Sequence, residues 1–215
     1  MDFALARQKM VDGQVRPNKV TDPRIIAAMR ELPRERFLPP DLAMLAYVDE
    51  DIPLPGGRAL TEPMVIARLV QALALRQGER VLVVGAGTGY GAALCAACDA
   101  QVTALEEDAA LLAIARRVLP AVAPSVRVVE GPLAAGWPGA SYEAILIEGA
   151  IPAVPEALVA QLALDGRLAA VIAPPGCPGQ AVLARSVGGG VSQVPQFDAA
   201  TPPLPAFAPA PAFTF

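Results

Sequence analysis

Three glycines at alternate positions, Gly85, Gly87 and Gly89, follow directly on the apolar run Val81-Leu82-Val83-Val84. Glycine belongs where the backbone must take positive φ or come close to a ligand. A buried strand running into such a turn and then a helix presents free N–H groups to whatever lies above it. Gly85, Ala86, Gly87, Thr88, Gly89 and Tyr90 are therefore the candidate cradle. Glu106 closes a second apolar run, Val102-Thr103-Ala104-Leu105. A carboxylate there suits the two hydroxyls of a ribose, and Glu107 stands beside it. The pair points to a ligand that contains a nucleoside.

What is missing narrows the chemistry. The 215 residues include no histidine, which removes Ser-His-Asp and Cys-His catalysis and most zinc sites, and no metal is expected. Three cysteines, an odd number, argue against a disulfide framework and fit a reducing cytoplasm. Cys95 and Cys98 form C-x-x-C without a second pair and read as small core residues, while Cys177 is a lone loop thiol. A net charge of −4 without a basic run argues against nucleic acid as a partner. Met1 to Val20 is charged throughout, so no secretory signal is expected, and no long apolar stretch predicts a membrane span.

The elements that must position these groups follow from periodicity. Phe3, Leu5, Met10 and Val11 mark a first amphipathic segment, broken at Pro17-Asn18. Thr21-Asp22-Pro23 starts a helix carrying Ile25, Ile26, Met29 and Leu32, which Pro33 ends. Pro39-Pro40-Asp41 starts a short helix expected to bury Leu42, Leu45 and Tyr47. Residues 48–60 read as a loop, with Asp49, Glu50 and Asp51 as a solvated turn. Thr61-Glu62-Pro63 then opens a helix with Thr61 as its N-cap, stopped by Gly78. Strands Val81–Val84, Val102–Leu105, Val126–Val129, Ala144–Ile147 and Arg167–Ile172 alternate with helices near 89–98, 109–119 and 155–164, the last stopped by Gly166. Ala181–Val187 and Val191–Gln196 flank Gly188-Gly189-Gly190, a hairpin signal. The fold class is α/β: a doubly wound, mostly parallel sheet of about seven strands, a C-terminal antiparallel hairpin and an N-terminal helical cap. Residues 1–78 form the cap and substrate-side loop, 79–196 the nucleoside-binding part and 197–215 a Pro/Phe-rich tail. The tail's composition reads as extended or disordered, while Phe197, Phe207, Phe213 and Phe215 suggest that it is pinned to the body.

A nicotinamide fingerprint requires a third glycine where this chain has Tyr90, so a dinucleotide oxidoreductase is the weakest reading. G-x-G-x-G, an acid ending the second strand and a terminal hairpin resemble class I methyltransferases, which use S-adenosylmethionine. The resemblance narrows further. Pro33-Arg34-Glu35-Arg36-Phe37-Leu38-Pro39, then Tyr47-Val48-Asp49-Glu50-Asp51-Ile52-Pro53-Leu54-Pro55, then Arg58-Ala59-Leu60-Thr61-Glu62-Pro63 resemble the protein-L-isoaspartate O-methyltransferase family. Gln161-Leu162 and Gly166-Arg167-Leu168 continue the likeness.

That resemblance implies methylation of the free carboxylate of L-isoaspartyl residues in damaged protein or peptide substrates. It places Thr61 as the hydroxyl that orients the substrate carboxylate, with Leu60, Glu62, Glu148 and Gly149 around it. Gly131, Pro132 and Leu133 join the cofactor residues, and Trp137 could stack on the adenine or simply pack. The chain departs from the family at Ala59, where a second hydroxyl is usual, and at Val83, usually acidic. It also departs at Pro132-Leu133, which replace an adenine-facing Asp-Gly, and at Glu148, expected to repel a carboxylate if it faces the cleft. These departures support a second reading, a cofactor-binding relative that acts as an interaction protein or on another substrate. Oligomeric state has no signal in the sequence.

Overall fold

The computed structural model describes residues 2–187 and 190–208. The chain begins with α1 (Phe3–Met10), capped by the Asp2 carboxylate, which accepts the Leu5 N–H at 3.1 Å. A π-helical turn, Val11–Val15, follows, and α2 (Pro23–Glu31) starts at Asp22 with Pro23 in its first turn, as the sequence signal requires. A single 3-10 turn, Arg34–Phe37, and another, Ala43–Leu45, lead on. The second differs from expectation: Leu45 is 44% exposed and Leu42 only half-buried, because a three-residue turn has no inner face, and of the three residues expected to be buried only Tyr47 is.

Residues 48–60 are not a plain loop. They contain β1 (Ile52–Leu54) and β2 (Arg58–Leu60), an antiparallel hairpin turning at Pro55–Gly57. Ile52, Leu54 and Leu60 point inward, so a three-residue alternation too short to detect in the sequence becomes a strand when packed on the body. Next comes α3 (Pro63–Leu73), and here Thr61 is not the N-cap. Glu62 holds that position without a side-chain bond, and its N–H donates to Asp51 Oδ1 at 2.7 Å. Asp51 therefore steadies the helix start instead of standing in a solvated turn. Ala74, in the left-handed conformation, ends α3 ahead of Gly78.

The sheet is built from β3 (Arg80–Val84), β4 (Gln101–Glu106), β5 (Arg127–Glu130), β6 (Tyr142–Ile151), β7 (Leu162–Ile172), β8 (Gln180–Val187) and β9 (Gly190–Asp198). Spatial order is β5-β4-β3-β6-β7-β8-β9; the first five neighbours run parallel and β8 and β9 antiparallel. The chain reverses sides between β5 and β6, so β3 and β6 meet at the switch point, where open α/β sheets bind ligands. α4 (Tyr90–Ala96) and α5 (Ala109–Val122) form the β3-β4-β5 crossovers. They share one core with α1, α2 and α3, including Met29, Leu69, Leu94 and Leu111 under Val81 and Val83. The other face carries Leu82, Val84, Ile145, Ile147 and Leu168 under thinner cover.

That thin cover explains another difference. The helix expected over 155–164 is only α6 (Glu156–Val159). Gly166 lies inside β7, not after a helix, and the β6–β7 register shifts there, from Tyr142↔Leu162 to Ala144↔Arg167. A Cβ on Gly166 would come within 2.8 Å of the Ala163 carbonyl oxygen, so glycine lets the bulged strand fold back on itself. The C-terminal segment completes the cover. Leu204 N donates to the Ala150 carbonyl at 2.8 Å, Ala150 N donates to the Pro202 carbonyl at 2.9 Å, and Phe207 packs on the second core. Phe197 lies under the Arg68 guanidinium at 3.8 Å. Phe213 and Phe215 lie outside the described residues.

Candidate active site

The glycine turn leaves the C-terminal end of β3 at the switch point. Gly85, Gly87 and Gly89 take φ of 68°, 56° and 98°, the left-handed region the spacing implies. Glu106, 1% exposed, ends β4 beside it. Its Oε2 accepts the Gly87 N–H at 2.7 Å, and its Oε1 accepts the Glu107 and Asp108 N–H groups at 2.9 and 3.0 Å. The carboxylate is thus fixed by the turn it serves.

One partner of Glu106 was not legible in the sequence. Arg58, on β2 and 7% exposed, donates from Nη1 to Glu106 Oε1 at 2.8 Å and from Nη2 to the Gly85 carbonyl at 2.7 Å. Only its place after Gly56-Gly57, in an otherwise apolar strand, marks it out. Leu204 comes from the other side. Its Cδ atoms stand 3.2 Å from where a Cβ on Gly85 would lie, and its Cγ 2.6 Å from the same position on Gly149. Gly149, with φ of 130°, allows that approach.

Tyr90 shows why the third fingerprint glycine is absent. Its ring turns away from the cradle and packs edge-on against Phe37 at 5.3 Å, with the Arg34 guanidinium 4.7 Å from its centroid. Arg34 is fully buried and donates to the Ala46 carbonyl at 2.7 Å and to the Thr61 carbonyl at 2.8 Å. Burial lowers its pKa, and Tyr90 opposes that shift. Arg34 therefore bolts the Thr61 joint to the helix that opens from the glycine turn. Thr61 and Leu60 are buried and Glu62 is half-buried, its pKa raised by burial and by Asp49, Asp51 and Glu50.

Glu148 ends the constellation. Its Oε1 is buried, without a hydrogen-bond partner among the described residues, and abuts Gly91 at the start of α4. Burial pushes its pKa up to about 8, with Arg58 and Arg34 opposing and Glu106 adding to the shift. At pH 7 the group is mostly neutral, which removes the repulsion expected from its charge. Thr88 Oγ1, Tyr90 Oη and Arg34 Nη1 are likewise buried without partners among the described residues. Buried polar atoms are nearly always bonded, so Thr88 Oγ1 on the turn and Glu148 Oε1 beside it mark a place for polar ligand atoms or water.

The remaining sequence candidates fall outside this cluster. Glu107 is exposed and accepts the Leu133 N–H at 3.2 Å. Gly131 lies beneath Trp137, Pro132 is exposed, and the Leu133 side chain is buried in the second core. Trp137 packs in that core with Arg127 above its ring at 5.8 Å. Cys95 and Cys98 are buried, with pKa raised chiefly by burial. A groove of about 590 Å³ between Arg80, Gln101, Arg127 and Trp137 lies at the opposite end of the strands.

The strand order, the glycine turn and the acid ending β4 define a Rossmann-like methyltransferase fold of class I. Residues 6–186 match the protein-L-isoaspartate(D-aspartate) O-methyltransferase family, and the chain belongs to it. A protein-L-isoaspartate O-methyltransferase of Methylorubrum populi is 44% identical over 179 residues, 83% of this chain and 84% of the relative. One of Methanoculleus marisnigri is 36% identical over 198 residues, 88% of this chain and 90% of the relative. A solved protein-L-isoaspartate O-methyltransferase shares the fold with a TM-score of 0.78 at 24% identity, over 92% of this chain and 65% of its own. A Plasmodium falciparum structure in complex with S-adenosyl-L-homocysteine gives 0.77 at 17% identity, over 93% and 98%.

Proposed function

We propose that the protein is an S-adenosylmethionine-dependent carboxyl methyltransferase acting on L-isoaspartyl residues of damaged proteins in the cytoplasm. The observation that carries this is the Arg34 bolt, which fixes the Thr61 joint to the start of α4, beside the glycine turn and Glu106. The donor set suits the cofactor: a three-glycine cradle and a buried carboxylate for the ribose hydroxyls. Gly87 would keep its approach open, since a Cβ there would meet only the Gly85 carbonyl oxygen, at 3.9 Å. When bound, S-adenosylmethionine supplies an electrophilic methyl group on a sulfonium.

The protein's part is alignment. Glu106 and the turn hold the nucleoside end. The Thr61 hydroxyl donates to the substrate carboxylate and aims it. The carboxylate is ionised at pH 7, so the chain needs no general base and the absence of histidine is no obstacle. Burial of Leu60, Thr61 and Gly149 keeps bulk water from the reacting atoms. Glu148, neutral at pH 7, leaves an incoming anion unopposed, and no second base is required of it.

The role of Thr61 is testable, because Asp51 and not Thr61 holds the helix start. Thr61→Ala is expected to lower kcat/KM for an isoaspartyl peptide about 10- to 100-fold, the loss of one oriented hydrogen bond and its geometry. Thr61→Ser should restore most of the rate, and affinity for S-adenosylhomocysteine should be unchanged in both. An alanine variant with the wild-type rate would remove Thr61 from the reaction.

A further inference from the structure

Arg58 holds two groups that the proposed cofactor site needs free. Its guanidinium donates to Glu106 Oε1 at 2.8 Å and to the Gly85 carbonyl at 2.7 Å. Both are short, charge-assisted contacts between buried groups, the strongest class of protein hydrogen bond. Together with the Gly87, Glu107 and Asp108 N–H groups, Arg58 gives both Glu106 oxygens a partner. Glu106 is 1% exposed, so a ribose hydroxyl must displace a neighbour to reach it, and Arg58 is the only one of these partners that is a side chain.

The apolar side of the same space is also filled. Leu204 packs over Gly85 and Gly149, and the segment bearing it is tied by two backbone hydrogen bonds to Ala150, next to Gly149. The two occupants meet each other. The β1–β2 turn brings Gly56 against Asp108 Oδ2 and Gly57 against Pro205 Cγ, at 2.8 and 3.6 Å from their would-be Cβ positions. The hairpin that carries Arg58 and the C-terminal segment that carries Leu204 thus close over the glycine turn from two sides.

We propose that Arg58 and Leu204 form an internal latch, a guanidinium and an isobutyl group that occupy the S-adenosylmethionine cleft until the cofactor displaces them. The idea rests on the cofactor reading above and goes beyond it: the β1–β2 hairpin and residues 199–207 must loosen when the nucleoside binds. The latch lowers apparent affinity, since a ligand binding only the open form is weakened by the fraction of molecules that are open. It also keeps Glu106 and Arg58 mutually compensated while the cleft is closed, which two buried charges require.

Calorimetry with S-adenosylhomocysteine on the full chain tests this, using wild type, Arg58→Ala, Arg58→Lys and Glu106→Ala. Arg58→Ala is expected to bind at least about tenfold more tightly than wild type. Arg58→Lys, with one ammonium for two acceptors, should fall between them, and it guards against an alanine variant that fails to fold. Hydrogen exchange gives a second readout: adding S-adenosylhomocysteine to wild type should speed exchange at the Leu204 amide. Equal or weaker binding by the folded Arg58 variants, or protection of Leu204 by the ligand, overturns the latch and leaves the cofactor reading intact. No binding by any Arg58 variant or by wild type overturns both.

Discussion

Glu106→Gln should destabilise the protein by about 3–5 kcal/mol, the usual cost of leaving one member of a buried ion pair uncompensated. The expectation follows from burial on both sides of the pair: Glu106 is 1% and Arg58 7% exposed, so neither charge can turn to water. The amide keeps Oε1, uncharged, for the Glu107 and Asp108 N–H groups, but an NH2 replaces Oε2 and leaves the Gly87 N–H without its acceptor. The double variant Glu106→Gln with Arg58→Gln should recover much of the loss, because it removes the stranded guanidinium. Urea unfolding of wild type, Glu106→Gln, Arg58→Gln and the double variant, with unchanged m-values, checks both statements. A single-variant loss below about 1 kcal/mol would show that the pair is solvated and not sealed.

Glu148→Gln should remove a pH dependence instead. In the folded protein Glu148 titrates at about 8, against an ordinary model value of 4.5. Between those values the folded state keeps a proton that the unfolded chain has released. The sign is therefore fixed: this group's contribution is fully present below about pH 4.5, falls as pH rises, and is lost once pH passes 8. The slope reaches about 1.4 kcal/mol per pH unit for a fully shifted group. Some exposure of the residue reduces the total to on the order of 3 kcal/mol across the window. Wild type should thus lose that much more stability than Glu148→Gln between pH 5 and about 8.5. Subtracting the two unfolding curves cancels the same-direction contributions of Asp51 and Glu62, whose pKa values are also raised by burial. Parallel curves would place Glu148 in water.

What the sequence revealed, and what it did not, divides along contact range. The alternation from Val81 to Ile172 is legible because the strands are short, mostly apolar runs separated by helix-length segments and turn residues. The cradle was legible for a local reason: glycines two apart demand a special backbone. Ile52–Leu54 and Arg58–Leu60 are not legible because three-residue strands carry no period of their own and depend on what they pack against. Thr61 read as an N-cap because Thr-Glu-Pro is a good local signal, yet Asp51 makes the bond from the preceding hairpin. Arg58 and Leu204 reach the glycine turn from 27 residues before Gly85 and from the far end of the chain, so no local pattern could place them. Tyr90 stands in the sequence only as the absence of a third glycine, but its side chain serves Arg34 and Phe37 on the cap side.

The charge expected on Glu148 shows why a residue's type is not its state. In a solvated loop it would oppose a carboxylate; buried against the start of α4, it is held mostly neutral although Arg58 and Arg34 oppose the shift. The departures at Ala59, Val83 and Pro132-Leu133 remove polar contacts without touching the pair that anchors the site, Glu106 and the turn. On this geometry the chain keeps the parts needed for alignment.

The most direct test of the central claim is transfer of labelled methyl from S-adenosylmethionine to an isoaspartyl peptide beside its aspartyl twin, with Glu106→Ala as control. The account predicts base-labile label on the isoaspartyl peptide alone, and its loss in the variant. Equal label on both peptides, or none on either while S-adenosylhomocysteine still binds, would contradict it.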